Sequence, residues 1–212
     1  MPKYTKLLIA DFDDTLVYTP SDTDLIEGVP ARQYYDMWLA DNGMPPRRFQ
    51  GWWGRKETLL PPIFGKWDEN NRLVPPQDRL NHELVKTVKE KQTDPDCISV
   101  LMTGRHIGMS HTYHGTKEHI CKTILDAYGI YFDRYHYGST GLPTLQFKLN
   151  TIQATLREFP SIRSVEIWED RHPHTSEFWN FVKYYKRIGK LDEGVVHQIE
   201  SPEALNNMPA NA

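Results

Sequence analysis

The chain has 212 residues, enough for one good-sized domain or one domain carrying a substantial insert. Lys and Arg number 25 against 28 Asp and Glu, a formal charge of −3. That excludes a strongly basic chain that coats nucleic acid by charge alone, and leaves room for a local basic patch. The hydrophobic fraction is a modest 39%, but 6 Trp, 11 Tyr and 8 Phe supply bulky core material, so disorder throughout is excluded.

Residues 7–10 form a short apolar run stopped by Asp11, the pattern of a central strand of a parallel sheet buried on both faces. The run is too short for a signal peptide, and no later stretch approaches a membrane span. Residues 18–75 differ in character. They hold Trp38, Trp52, Trp53 and Trp67 among many prolines, and only 31–40 reads as helix. This stretch is expected to be an insert after the first strand, a candidate cap. Residues 76–91 read as a helix, with Leu80, Leu84, Val85 and Val88 at three- and four-residue spacing. A second apolar strand, 97–102, is stopped by Thr103-Gly104. A helix over 117–128 is closed by Gly129.

Residues 146–159 form a third helix of the core, ended by Pro160, and 164–168 a third apolar strand stopped by Glu169-Asp170. A helix over 177–190 and an edge strand over 195–199 complete the pattern, with 201–212 a loose tail. Three apolar strands ending in polar residues, with helices between them, predict an α/β fold. It is a Rossmann-like open parallel sheet with its site at the carboxyl ends of the strands. The core is expected in 1–17 and 76–200. Cys97 and Cys121 form no CxxC motif, which excludes a disulfide scaffold and a cysteine-rich zinc site and points to a reduced, cytoplasmic setting.

The strongest chemical signal is Asp11-Phe12-Asp13-Asp14-Thr15, directly after the first strand. Two carboxylates spaced by one residue at a strand end stand near the first turn of a loop. There one can attack phosphorus while the other handles the proton of the leaving or entering oxygen. Asp14 reads as a loop-shaping or capping carboxylate. Thr103-Gly104 alone also fits an ordinary strand-to-loop turn, and a single Lys148 near a helix start is usually solvated.

Taken in order, Asp11 and Asp13, then Thr103, then Lys148, then Glu169-Asp170, the chain resembles the haloacid dehalogenase (HAD) superfamily of phosphohydrolases. The resemblance implies Asp11 as nucleophile and Asp13 as general acid and base. Thr103 would hold a phosphoryl oxygen, and Lys148 would neutralise Asp11 and the phosphate. It also implies a Mg²⁺ held by Asp11, the Asp13 carbonyl and Asp170, with Glu169 a ligand or a partner behind the ligands. Hard oxygen donors suit that ion, and crowded carboxylates need a cation before a phosphate dianion can approach.

Arg105 follows Thr103-Gly104 and Arg171 follows Glu169-Asp170, where guanidinium groups can clamp phosphate bidentately; Thr15 and Gly104 are further substrate-side candidates. Arg171 has a competing role in pairing with surface acids. The TGR and EDR pieces are similar to the phosphatase half of polynucleotide kinase–phosphatases, and no P-loop for a kinase half is present. A closer resemblance is to the HAD-like domain of Swiss army knife RNA-repair proteins. It runs from DFDDTL through Gly51-Trp52-Trp53, LMTGR, Gly138-Ser139-Thr140 with Phe147-Lys148, to IWEDRHPH.

The expected activity is therefore a phosphomonoesterase acting on a phosphorylated substrate, a nucleic-acid 3′ end or a nucleotide. A small-metabolite phosphatase and a non-catalytic binding protein of the same fold are the alternatives. No obligate protein partner or membrane is implied. Trp52, Trp53, Phe64 and Trp67, with Arg47, Arg48, Arg55 and Lys56 nearby, either stack unpaired bases or pack the insert, and packing is the commoner use. The nine histidines match neither HExxH nor a zinc-finger spacing. They read as loop and surface residues, with His106 the candidate nearest substrate. One of His172 and His174, flanking Pro173, either orients the acidic loop or serves a plain loop role.

Overall fold

The computed structural model describes residues 4–44, 51–70, 72–113, 116–139 and 141–200. Arg47, Arg48, His114, Thr140 and the 201–212 tail lie outside the described residues. In chain order the elements begin with β1 (Lys6–Ala10), β2 (Leu25–Ile26), β3 (Val29–Pro30), α1 (Ala31–Asp41), β4 (Lys66–Trp67), β5 (Leu73–Val74) and α2 (His82–Gln92). They continue with β6 (Cys97–His106), β7 (Ser110–Tyr113), β8 (Thr116–His119), α3 (Ile120–Ala127) and β9 (Arg134–Gly138). Last come α4 (Thr144–Glu158), β10 (Ser164–Glu169), α5 (His172–Arg187) and β11 (Glu193–Gln198). Among the described residues no helix is long and apolar enough to cross a membrane.

The chain divides into two compact units. The first comprises Met1–Tyr18, Leu80–Gly104 and Ile130–Ala212; the second comprises Thr19–Arg79 and Arg105–Gly129. The first unit carries the expected α/β architecture, a five-stranded parallel sheet in the order β11-β10-β1-β6-β9. Leu7 to Ala10 are all buried, and strand β1 lies at the centre of the sheet between β10 and β6. Ala10 stands opposite Leu101 on one side and Trp168 on the other. The chain leaves β1 for β6 and β9 on one side and returns to β10 and β11 on the other. The carboxyl end of β1 is therefore the switch point where such sheets open a crevice.

Helices α4 and α5 share one cluster with the sheet: Ile152, Phe178 and Val182 pack with Leu7, Ile9, Val100 and Ile167. Each such side chain contributes about 1.5–3 kcal/mol on burial. Helix α5 starts at His172, five residues before the expected position. Pro173 occupies its first turn, where no intrahelical N–H is needed. Strand β9 was not expected, because Arg134–Gly138 is only partly buried and has no apolar run. The β7–β8 hairpin was missed because neither SHTY nor TKEH contains an apolar run.

In the second unit, Ala31, Tyr35, Leu39, Trp52 and Ile63 form the core, and the Trp52 indole donates to the Pro20 carbonyl at 2.6 Å. The expected insert thus has a core of its own. It also takes in 105–129, a stretch the sequence pattern assigned to the sheet domain. The reason is packing between distant segments: α3 packs on β5, and the Tyr128 hydroxyl donates to the Pro76 carbonyl at 2.5 Å.

Gly194 on β11 has no room for a side chain, since a Cβ there would run into the Val182 Cγ1 of α5. Gly194→Ala is expected to cost about 1–3 kcal/mol by overpacking. The cost should shrink in a Val182→Ala background, read by urea denaturation of the four proteins of the cycle. Equal costs in both backgrounds would mean the contact carries no energy.

Candidate active site

The sheet's register builds the site. One residue past the paired Ala10 and Trp168 come Asp11 and Glu169, and the Asp11 N–H donates to the Trp168 carbonyl at 3.0 Å. Into the gap above them reaches Lys148 from the second turn of α4. Its Nζ lies 2.7 Å from Asp11 Oδ2 and 2.6 Å from Glu169 Oε2, and the side chain is only 1% exposed. What lets α4 start so close to β6 is Gly104, where a Cβ would stand 2.7 Å from Thr144 Cγ2 at the head of the helix. Thr103, fully buried, precedes it on β6, a strand that runs on past the expected stop at Thr103-Gly104 to His106.

The turn after β1 is cross-braced. Asp11 Oδ1 accepts from the Phe12 N–H at 2.8 Å. The Asp14 N–H donates to Val17 O at 2.8 Å, with Asp14 in the left-handed region at φ 52, so it shapes the loop as its type suggested. Half-buried Asp13 stands between these braces. Thr15 Oγ1 donates to Asp170 Oδ1 at 3.2 Å, linking the first acidic motif to the last.

Asn81 was not anticipated. Its amide donates to Thr15 O at 2.9 Å, its backbone N–H donates to Leu16 O at 3.1 Å, and its Oδ1 accepts from the Leu84 N–H as the cap of α2. The available signal was an Asn just before an apolar periodic run.

Glu169 is gripped on its other oxygen too. Oε1 lies 3.3 Å from His174 Nδ1 and accepts from the Arg171 N–H at 3.3 Å, so His174 is the histidine that orients the acidic pair. His172 and the Arg171 side chain are exposed. Arg105 belongs to the second unit, where its buried guanidinium donates to the Trp53 carbonyl at 3.1 Å and lies over the indole ring. Trp52 and Phe64 are buried, Lys56 is partly covered, and Trp53 and Trp67 are exposed.

Charge in the cluster does not balance. Burial pushes the Asp11 carboxyl well above its usual range; Lys148 opposes the rise, and Glu169, Asp170 and Asp13 add to it. Burial and then Glu169 raise Asp170 to about 6. For Glu169 burial is outweighed by the nearby His174 imidazole, 3.3 Å away, and the charge of Lys148, which together pull it down to about 2. Burial would lower Lys148, but Asp11 and Glu169 hold it above its ordinary value. One ammonium thus serves more carboxylates than it can neutralise. Oxygens of Asp11, Glu169 and Asp170 all lie within 4.8 Å of one another, a set of hard donors suited to a divalent cation.

The chain belongs to HAD domain family 1 in Swiss Army Knife RNA repair proteins, whose profile matches residues 33–209. A HAD domain points to a phosphatase-type hydrolase. The Asp11–Thr15 turn precedes the matched span, so its place in the site rests on the geometry above. The chain is also similar to Uncharacterized protein YMR265C of Saccharomyces cerevisiae, 27% identical over 184 residues. The similarity covers 84% of this chain and 37% of the yeast protein, so the chain spans little more than a third of that relative's length. No solved structure matches the chain.

The raised Asp170 makes a pH prediction. The folded protein holds this proton more tightly than the unfolded chain. Stability is therefore lost as pH climbs from the ordinary value of 3.8 through about 6. With chelator present, Asp170→Asn should be more stable than wild type at pH 7 by roughly 2–3 kcal/mol, and the gap should close towards pH 4. Urea denaturation at both pH values checks this. A gap independent of pH would refute the assignment.

Proposed function

We propose that the chain is a Mg²⁺-dependent phosphomonoesterase that works through an aspartyl-phosphate on Asp11 and removes a terminal 3′ phosphate from a nucleic acid or nucleotide. The observation that carries the reading is the buried Lys148 ammonium clamped between Asp11 and Glu169 beside Asp170. A cation fixed against a strand-end carboxylate holds it in one orientation and offers the incoming phosphoryl group a positive partner.

In the first step Asp11 attacks phosphorus in line, the ester P–O bond breaks, and the leaving oxygen takes a proton from Asp13. Asp13 then accepts a proton from water as the water oxygen attacks phosphorus. The bond to Asp11 breaks, returning the carboxylate and inorganic phosphate. Lys148 and the Thr103 hydroxyl donate to phosphoryl oxygens throughout. Mg²⁺, held by Asp11, Asp170 and the Asp13 carbonyl with Glu169 beside them, would offset phosphate charge and polarise the phosphoryl oxygens. Thr15, Gly104 and Arg171 are the substrate-side contacts on the same unit.

The nucleic-acid end as substrate is supported by the paired TGR and EDR sequences and by the RNA-repair setting named for the family. The test is phosphate release from a single-stranded 3′-phosphorylated oligonucleotide, its 5′-phosphorylated twin and a free nucleotide, with Mg²⁺ and with chelator. Release is expected to require Mg²⁺ and to favour the 3′ end. Asp11→Asn should lower kcat by about 10⁴-fold or more with an unchanged circular dichroism spectrum. Near-wild-type turnover of Asp11→Asn would end the mechanism, and release from the free nucleotide alone would move the function to small metabolites.

A further inference from the structure

The helix that begins at the acidic pair has an outer face that nothing in the proposed chemistry uses. On α5, His172, Ser176, Trp179, Lys183 and Lys186 follow one another at four- and three-residue steps, so they share one stripe, and all five are exposed. Trp179 is 39% exposed, unusual for an indole on a well-packed helix. It lines an open surface concavity with Ser176, Asn180 and Lys183. The single acid of α5, Glu177, lies well round the helix from the stripe. The opposite side, His174, Phe178 and Val182, is the one packed into the core.

An exposed aromatic face bracketed by ammonium groups and amide or hydroxyl donors is the composition that holds single-stranded nucleic acid, with a base on the ring and phosphates on the cations. The stripe starts immediately after Asp170 and Arg171. Trp179 stands about 12 Å further along the helix axis at ~1.5 Å per residue. At ~3.4 Å per phosphate of a stacked strand, that is about four nucleotides from the reacting end.

We propose that the outer face of α5 is a strand-binding track: a single-stranded nucleic acid whose terminal phosphate sits at Asp11 lays its upstream nucleotides along the stripe, stacking a base on Trp179 and placing phosphates on Lys183 and Lys186. This rests on the reading that the site takes a nucleic-acid end. It adds what that reading lacks, a reason for an oligonucleotide to be preferred over a mononucleotide.

The test separates the two. Binding of a fluorescein-labelled ten-nucleotide single strand ending in a 3′ hydroxyl is followed by anisotropy with the wild-type chain, Trp179→Ala and Lys183→Ala. Mg²⁺-dependent hydrolysis of a generic aryl phosphate is measured on the same three proteins. Trp179→Ala is expected to weaken strand binding by at least about fivefold. Lys183→Ala is expected to flatten the salt dependence of log K by about 0.7. Aryl phosphate turnover should be unchanged in both, since neither residue touches the reacting atoms.

Wild-type strand binding in both variants would overturn the track and leave the phosphatase reading standing. So would absence of strand binding by the wild type, or recognition of a protein partner there instead. Loss of binding in the variants with no aryl phosphate turnover in any protein would keep the track and sink the phosphatase reading.

Discussion

An ammonium group cannot be taken out of water without counter-charges close enough to replace its hydration. Lys148 satisfies that condition by lying between Asp11 at the end of β1 and Glu169 at the end of β10. The requirement ties the first strand to two elements far along the chain: its neighbour β10 and the helix α4 that precedes β10. It also fixes how near α4 must come, and the bare backbone of Gly104 against Thr144 meets that demand. A well-packed apolar trio would hold the same elements at least as well. A buried ion cluster at the switch point of the sheet is therefore better explained by chemistry than by stability.

The cluster's imbalance carries the argument further. Asp11, Asp170 and Glu169 share one lysine, and the Asp11 and Asp170 carboxyls are raised, first by burial and then by their acidic neighbours. Second interactions keep the acids in place despite their repulsion. His174 and the Arg171 N–H hold Glu169, Thr15 holds Asp170, and Asn81 ties the turn carrying Thr15 to the first turn of α2. A group of carboxylates preorganised against its own repulsion is suited to a divalent cation.

How much of this the sequence disclosed follows from which forces act locally. Strands β1, β6 and β10 were legible because the runs at 7–10, 97–102 and 164–168 are largely apolar, interrupted only by Ser99 and Glu166, and each is followed by polar residues of the site. Asp11, Glu169 and Asp170 were legible because they stand where such runs stop, and Lys148, on helix α4, through its order between them. Strand β9 and the β7–β8 hairpin were not, since polar strands at an edge or surface carry no period that separates them from loop. Nor was the second unit's claim on 105–129, which depends on α3 finding β5, a contact between segments far apart in the chain. Asn81 went unread because its three bonds reach a loop some 65 residues away in sequence and a helix whose start was placed too early.

Helix α5 joins these lines of reasoning. Its first turn follows Asp170 directly, and Pro173 fits there only because that turn has no N–H to lose. From that fixed start the helical period sends His174, Phe178 and Val182 inward, and His172, Ser176, Trp179, Lys183 and Lys186 outward. The inner row holds Glu169 in place through His174 and anchors the helix in the core, so the direction of the outer row is set by the same contacts that set the acids. A chain bound along the outer row would therefore meet the acidic pair in a fixed register. Substrate length would then enter catalysis through position, as binding energy remote from phosphorus that aligns the reacting end.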